Sequence, residues 1–274
     1  MTRLFWLDTH CAGWHHGHMP NPRLLIDHTL AAGVTLALDE AQARHIGTVL
    51  RLGEGDTARV FNARDGEWRA RVATKTKRGM SVRIEDFIRP ARATPDLDLL
   101  FAPVKRHATD LIVEKATELG VRRVRPVITQ RTIAETVRLD RLQAIARAAA
   151  EQTERFDAPE IVEPITLARA LDGWHAARTL IYADERGDDD AQAWGGATGR
   201  AAPIAQALQA STAGASTPLA LLIGPEGGFT TQERDMLRAH AFVISVTLGP
   251  RILRAETAVI AALALVQSSW GDWR

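Results

Sequence analysis

The sequence predicts an α/β fold in which a small β-barrel precedes a mostly parallel sheet covered by helices on both faces. Up to about residue 90, short strands and tight turns with one helix dominate. Beyond it, short apolar strands alternate with helical periodicities, which is typical of parallel sheets. Two Gly- and Pro-rich turns near the C-terminus, within 221–233 and 248–258, each join an apolar strand to a helix.

The elements of the first part predict a small, partly open barrel. Residues 39–51 have helical apolar spacing, with Ala43, Ile46, Val49 and Leu50 on one side. The Asp65-Gly66 pair is typical of a two-residue hairpin turn. The predicted strands are 4–7, 57–62, 67–73 and 80–88. Barrels of this kind often bind oligonucleotides, and the strands here carry many Arg and Lys side chains.

The second part begins after a Pro-containing linker at 90–95. Gly120 marks the end of the first helix, and Thr230 with Glu233 forms a capping box before another. The predicted strands are 97–102, 124–128, 160–162, 179–183, 219–223 and 243–248. The predicted helices are 107–119, 139–155, 167–171, 204–210, 231–240 and 255–268, and 186–203 is a predicted surface loop. We therefore expect two domains, 1–90 and 91–274.

Composition and charge indicate the cellular compartment of the protein and the kind of partner it can contact. One cysteine, Cys11, excludes an internal disulfide, and no signal-peptide or membrane-spanning pattern is present, so a cytoplasmic protein is expected. Residues 1–150 carry 24 Lys and Arg against 17 Asp and Glu, giving +7, while residues 151–274 give −6. A basic first half is compatible with contact to a polyanion, and equally with a solvated surface.

Three common α/β site motifs are absent from the sequence. There is no G-x-G-x-x-G, no Gly-Lys dipeptide and no G-x-S-x-G. The dinucleotide turn, the phosphate-binding P-loop and the nucleophile elbow are therefore unsupported. Because Gly lacks a Cβ, the two C-terminal turns let backbone groups approach a ligand closely. Their order and spacing predict one small-molecule pocket built mostly from backbone.

These turns, IGPEGGFTTQE and LGPRILRAETAVIAAL, resemble the C-terminal signature of SPOUT-class methyltransferases. More narrowly, the chain resembles the small-subunit (16S) ribosomal RNA uridine N3-methyltransferases. VEKATELGV at 113–121 and AAEQT at 149–153 are similar to the same family, and the N-terminal part resembles its PUA-like barrel. One departure is Glu154, in Gln152-Thr153-Glu154-Arg155, where the family usually has Gln-Ser-Gly-Arg. The His-rich segment before Arg23 and the 186–203 loop are also longer than usual.

The resemblance implies a trefoil-knotted C-terminal domain that binds S-adenosyl-L-methionine and pairs two chains as a homodimer. It also implies N3-methyluridine in small-subunit ribosomal RNA as the product, with the assembled subunit as substrate. One wall of the cofactor slot would be Ile223, Gly224, Pro225, Glu226, Gly227 and Gly228. The other would be Leu248, Gly249, Ile252, Leu253 and Thr257.

The chemistry of methyl transfer to uracil N3 suggests roles for charged residues beside these turns. Uracil N3 carries a proton and is a poor nucleophile until that proton leaves. Our hypothesis is that Arg254 or Arg251 stabilises the developing anion while Glu256 orients the base or accepts the proton. For Glu256 the alternative is a structural one, since acidic residues favour the first turn of a helix.

Further basic residues are candidates for RNA contact. Lys105, Arg106 and Arg131 follow predicted strand ends, and solvated charge is their alternative explanation. Arg3 and Arg51 are similar to basic residues of the family's barrel. The histidines between His10 and His18 match no closed metal site, so no metal is expected. Two other functions stay open: a SPOUT methyltransferase acting on tRNA guanosine or a ribose, and a non-catalytic RNA-binding assembly factor.

Overall fold

The computed structural model describes residues 22–77, 79–133, 136–189, 191–192, 195–211 and 217–273. The strands are β1 (Arg23–Leu25), β2 (Thr35–Ala37), β3 (Thr57–Asn62), β4 (Gly66–Thr76), β5 (Gly79–Arg89), β6 (Leu97–Phe101), β7 (Arg123–Ile128), β8 (Glu160–Ile161), β9 (Ile165–Thr166), β10 (Thr179–Ala183), β11 (Ala202–Pro203), β12 (Leu219–Ile223) and β13 (Val243–Thr247). The helices are α1 (Glu40–Arg44), α2 (Arg106–Glu118), α3 (Leu139–Gln152), α4 (Leu167–Asp172), α5 (Ile204–Ala210), α6 (Thr231–Arg238) and α7 (Ala255–Ser269). The predicted strand at 4–7 lies outside the described residues.

The N-terminal part is a five-stranded sheet in the order β1-β3-β4-β5-β2 around its own hydrophobic core. The β1–β3 pair is parallel, and the other pairs are antiparallel. The β3–β4 hairpin differs from the predicted two-residue turn, because Asn62 pairs with Gly66 and leaves three residues in the loop. The Asn62 Oδ1 accepts hydrogen bonds from the backbone N–H groups of Arg64 (3.0 Å) and Asp65 (2.6 Å), which closes this longer turn.

The predicted helix at 39–51 is present but changes its winding. Asp39 and Gln42 form a capping box before α1, and the chain then continues through a π-helical turn, His45–Val49. The wider turn rotates the following residues around the axis. Ile46 is therefore buried as predicted, whereas Val49 is 64% exposed, contrary to its predicted place on the apolar side.

The C-terminal sheet is parallel throughout its described strand pairs. Its order is β11-β13-β10-β12-β6-β7-β8, with β9 pairing to β7. Alternate residues of each central strand enter two separate cores, as Leu221 and Leu222 of β12 illustrate. One core packs against α2, α3, α5 and α7, and the other against α4 and α6. The predicted sheet with helices on both faces is confirmed.

Several predicted bounds in this part were wrong by one or two residues, and two differ for a specific structural reason. The helix predicted for 139–155 ends at Gln152, because Glu154 adopts a left-handed conformation with φ +62°. The predicted loop at 186–203 ends in β11, a two-residue strand on the edge of the sheet beside β13. The helix predicted to stop at Gly120 does so, with Leu119 as its C-cap.

An ionic cluster joins the N-terminal sheet to the segment that follows α3. Glu67 is fully buried on β4 and pairs with Arg23 (Nε–Oε1 2.8 Å), Arg59 (3.2 Å) and Arg89. Glu154, beyond the end of α3, pairs with Arg59 (3.1 Å) and Arg89. The Arg23 side chain, on β1, also donates a hydrogen bond of 2.9 Å to the carbonyl of Arg155, beyond α3, and so links the two parts of the chain directly. No described helix is long and apolar enough to cross a membrane.

Candidate active site

A cleft opens at the carboxyl ends of three neighbouring parallel strands, β10, β12 and β13. Strand β10 lies between the other two, so the loops that follow them meet at one edge of the sheet. Ligands of open α/β sheets bind at this edge. The cleft is lined by Ala183, Asp184, Glu185, Ile223, Gly224, Pro225, Glu226, Thr247, Leu248, Gly249, Arg251, Ile252, Leu253, Ala255 and Ala258.

The structure brings both predicted Gly-rich turns to this cleft. Of the residues predicted to bind the cofactor, the ones that line it are Ile223, Gly224, Pro225, Glu226, Leu248, Gly249, Ile252 and Leu253. Gly227, Gly228 and Thr257 are not among the lining residues, and Thr257 is exposed on α7. Of the predicted catalytic residues, Arg251 lines the cleft, while Arg254 and Glu256 lie beside it at the start of α7.

Close packing within the first turn requires glycine at two positions. A Cβ on Gly224 would lie 2.6 Å from the Cε2 of Phe229, whose ring is buried beneath the turn. Gly228 has φ +65°, and a Cβ there would lie 2.7 Å from the Oε1 of Glu185. Such separations are shorter than real Cβ contacts, so a larger residue would displace the loop.

The first turn is supported from α6 and from the loop after β7. Thr230 and Glu233 form the predicted capping box at the start of α6. The Oε1 of buried Glu233 also accepts a hydrogen bond of 2.8 Å from the backbone N–H of Gln130. Arg131 donates a hydrogen bond of 2.7 Å to the carbonyl of Gly227. The predicted RNA-binding residue Arg131 is therefore also part of the cleft's scaffold.

The second turn leads directly into α7. Arg254 is its N-cap residue with extended backbone angles, and its carbonyl accepts the backbone N–H of Ala258 (2.8 Å). Ala255 and Ala258 present the first turn of α7 to the cleft, while the Ile252 side chain stays 76% exposed. The unpaired N–H groups of a helix N-terminus favour electron-rich groups of a ligand.

The loop after β10 forms a third wall that the sequence did not reveal. Buried Asp184 pairs with Arg234 (Nε–Oδ1 3.0 Å) and Arg238 (Nη2–Oδ2 2.6 Å). Burial raises the pKa of the neighbouring Glu185, and the negative charge of Asp184 acts in the same direction. The strand 179–183 was predicted, and its position between β12 and β13 is what brings Glu185 to the site.

A second groove lies at the end of β6, the strand next to β12. It follows β6, whose end is held next to β12 by a hydrogen bond from the Ala102 N–H to the Ile223 carbonyl (3.0 Å). Lys105 and Arg106 line this groove and are exposed, and neither side chain forms an ion pair with another described residue. The groove's other arginines are neutralised, in the pairs Arg138–Asp140 (2.8 Å) and Arg141–Asp110 (2.6 Å).

The remaining sequence candidates lie away from the cleft or outside the described residues. Arg51 follows the π-helical turn of the N-terminal part, with an exposed side chain and φ +60°. Arg3, Cys11 and the histidines from His10 to His18 lie outside the described residues. Among the residues that are described, no group of three or more His, Cys, Asp or Glu side chains could hold a metal ion.

A parallel α/β sheet with a Gly-rich cleft at its carboxyl edge, preceded by a small β-sheet, is the arrangement of an α/β protein that binds a small molecule at the strand ends. Residues 92–267 match the model of the RNA methyltransferase domain family, and residues 38–85 match that of the RNA methyltransferase PUA domain. The chain belongs to this RNA methyltransferase family, as the resemblance in the two turns predicted.

Similar proteins support the same assignment over nearly the whole chain. The chain is 30% identical to the ribosomal RNA small subunit methyltransferase E of Rickettsia conorii, covering 89% of this chain and 94% of that protein. It is 31% identical to the protein of the same name from Synechocystis, covering 90% and 77%.

Two solved structures share the fold. A ribosomal RNA small subunit methyltransferase E from Neisseria gonorrhoeae, bound to S-adenosyl methionine, superposes with a TM-score of 0.74 at 28% identity, covering 93% of this chain and all of the other. A methyltransferase from Legionella pneumophila, in complex with the same cofactor, gives a TM-score of 0.75 at 27% identity, covering 90% and 97%.

Proposed function

We propose that this RNA methyltransferase transfers a methyl group from S-adenosyl-L-methionine to N3 of a uridine in small-subunit (16S) ribosomal RNA. The observation that carries the proposal is the cleft formed by both Gly-rich turns, in a chain whose structural relatives hold this cofactor. The names of the relatives support the ribosomal substrate. The cytoplasm, where ribosomes are assembled, is the proposed compartment.

The residues of the cleft fit the cofactor. Adenine requires apolar contact and backbone hydrogen bonds, which Leu248, Ile252 and Leu253 and the polar backbone around them can supply. The cofactor is cationic at its sulfonium and ammonium groups, and the exposed carboxylate of Glu226 lines the cleft without an ion pair to another described residue. Gly227, Gly228 and Thr257 do not line the cleft, so they would shape it from behind or beside the lining residues.

In the proposed reaction, the protein's own residues must make N3 of uracil a good nucleophile. When bound, the cofactor supplies an activated methyl group whose leaving thioether departs without protonation. Arg251, on the cleft, and Arg254, at the N-cap of α7, are the proposed cations that stabilise the base as its N3 proton leaves. Glu256, one residue into α7, is proposed to orient the base or to accept that proton.

We propose that RNA spans both parts of the chain, which we divide at residues 1–90 and 91–274. Exposed Lys105 and Arg106 beside the cleft would contact phosphates near the target nucleotide, and Arg131 would contribute from the edge of the first turn. Arg51 and Arg3 would extend the contact to the barrel. The net charge of +7 over residues 1–150, which include the barrel as well as Lys105, Arg106 and Arg131, supports contact with RNA along this part of the chain.

A homodimer is proposed through the C-terminal region. Helix α7 leaves Ile260 and Leu265 each 37% exposed, and Ile252 in the preceding turn is 76% exposed. These exposed aliphatic side chains belong to one helix and the turn before it, and large exposed apolar surfaces commonly mark a protein interface. The trefoil knot is proposed for the same region, where β10 lies between β12 and β13. Ile260→Glu should convert the dimer to monomers in sedimentation velocity, whereas a monomeric wild-type protein would contradict the proposal.

The test of this function is which RNA accepts the methyl group. Protein and labelled S-adenosyl-L-methionine would be incubated with small ribosomal subunits from a strain lacking the modification, with naked 16S RNA, and with tRNA. We expect labelling of the assembled subunit. Labelling of tRNA alone would favour another SPOUT activity, and cofactor binding without any transfer would favour a non-catalytic assembly factor.

A further inference from the structure

Glu185 is a carboxylate of the cleft that no role described above uses. It is partly buried on the loop after β10, and its side chain makes no ion pair or hydrogen bond to another described residue. Burial partly removes this carboxylate from water, and apart from a hydrogen bond to its own backbone no described residue compensates for that cost. Its position therefore indicates a donor supplied by a ligand.

The backbone around Glu185 is held from several directions. The N–H of Asp184 donates to the Val246 carbonyl on β13 (2.8 Å), and the Asp184 carboxylate is fixed by Arg234 and Arg238. Arg200 donates to the carbonyl of Glu185 itself (2.8 Å). The backbone of this segment is thus held in place, while no other described residue donates a hydrogen bond to the Glu185 carboxylate or pairs with it. This is the arrangement of a preorganised binding group.

The absence of a side chain at Gly228 makes room for this carboxylate. The Oε1 of Glu185 lies so close to the first turn that a Cβ on Gly228 would be 2.7 Å from it. Glu185 therefore bridges from the β10 loop to the turn after β12. Because Glu185 also lines the cleft, a ligand bound there would lie next to this carboxylate.

We propose that Glu185 binds the ribose hydroxyls of S-adenosyl-L-methionine, an inference that rests on the proposed function. Two vicinal hydroxyls offer two donors to the two oxygens of one carboxylate, as in other nucleotide sites built at strand ends. The cofactor's ammonium is more costly to remove from water than a diol. It suits the exposed Glu226 on the same cleft better than the partly buried Glu185.

The test is the affinity of three ligands for the full chain, measured by titration calorimetry. S-adenosylmethionine and S-adenosylhomocysteine share ribose and ammonium, and only the first carries the sulfonium charge. 5′-Methylthioadenosine keeps the ribose and lacks both charges. We expect Glu185→Gln to raise the Kd for all three by about tenfold, because a charged acceptor is lost. The control Glu163→Gln, an exposed carboxylate in the same domain, should leave all three unchanged.

Each other outcome overturns the assignment. A loss confined to the two amino-acid-bearing ligands would place Glu185 at the ammonium, and a loss for S-adenosylmethionine alone would place it at the sulfonium. Unchanged affinities, or a marked fall in the thermal unfolding midpoint of unliganded Glu185→Gln, would remove it from the cofactor site. Failure of the wild-type protein to bind S-adenosylmethionine would instead contradict the proposed function.

Discussion

The guanidinium of Arg131 donates a hydrogen bond of 2.7 Å to the backbone carbonyl of Gly227, linking the loop after β7 to the first Gly-rich turn. The aliphatic part of the same side chain packs against Gly227, where a Cβ would lie 3.4 Å from the Arg131 Cδ. Arg131, which the sequence predicts to contact RNA, thus also supports the proposed cofactor cleft. Removing it should affect both functions.

Arg131→Ala is expected to raise the Kd for S-adenosylmethionine by about threefold to tenfold, because one charge-assisted hydrogen bond to the turn is lost. The matched variant is Arg106→Ala, which removes an exposed arginine from the neighbouring groove. It should leave cofactor affinity unchanged while weakening RNA binding. It should also reduce the slope of log affinity against log salt by about 1. Equal cofactor affinities in both variants would contradict the supporting role of Arg131.

Glu256→Gln is expected to reduce kcat by about 100-fold or more if Glu256 accepts the N3 proton, with little change in the Kd for the cofactor. Glu256 lies in the first turn of α7, where a negative charge also stabilises the helix. Single-turnover methylation and calorimetry separate these roles. A parallel loss of cofactor affinity or of thermal stability would assign Glu256 to the helix rather than to the chemistry.

The affinity for S-adenosylmethionine should fall as the pH is lowered. Burial raises the pKa of Glu185 above the ordinary carboxyl value of 4.5. The carboxylate is the better acceptor, so protonation of Glu185 would weaken the proposed hydrogen bonds to the ribose. Binding is then strongest above the raised pKa and weakens as the pH falls through it. In Glu185→Gln this step should disappear, and a pH profile identical to that of the wild type would contradict the explanation.

Two substitutions of Glu154 should measure the free-energy cost of its left-handed backbone conformation. Both Glu154→Gly and Glu154→Ala remove the ion pairs with Arg59 and Arg89, so both should be less stable than the wild type. Only glycine relieves the conformation at φ +62°. Glu154→Gly should therefore be about 1 kcal/mol more stable than Glu154→Ala in urea unfolding. Equal stabilities of the two variants would contradict this prediction, because they would mean that the backbone leaves the left-handed conformation in Glu154→Ala.

The sequence predicted the parts of the fold that carry a local signal. The bounds of β3 and β12 were predicted correctly, since alternation and a short apolar run between turns are readable in one dimension. Strands β9 and β11 have two residues each, too few for a pattern, and exist because a neighbouring strand pairs with them. The early end of α3 at Gln152 depends on a tertiary ion cluster that holds Glu154.

The lining of the cleft was also predicted only in part. Gly224 and Gly249 belong to turns with a recognisable composition, so both walls were found from the sequence. Glu185 follows Tyr182-Ala183-Asp184, which has no such signature. Its arrival at the cleft depends on β10 lying between β12 and β13, and strand order is not written in local sequence.

The central claim is that the cleft directs the methyl group to N3 of uridine. The direct measurement is mass-spectrometric nucleoside analysis of 16S RNA after wild-type protein and S-adenosylmethionine have acted on unmodified small subunits. N3-methyluridine, formed by the wild type and strongly reduced with Glu256→Gln, is the predicted result. A ribose-methylated nucleoside, a methylated guanosine or no methylated product would contradict the account.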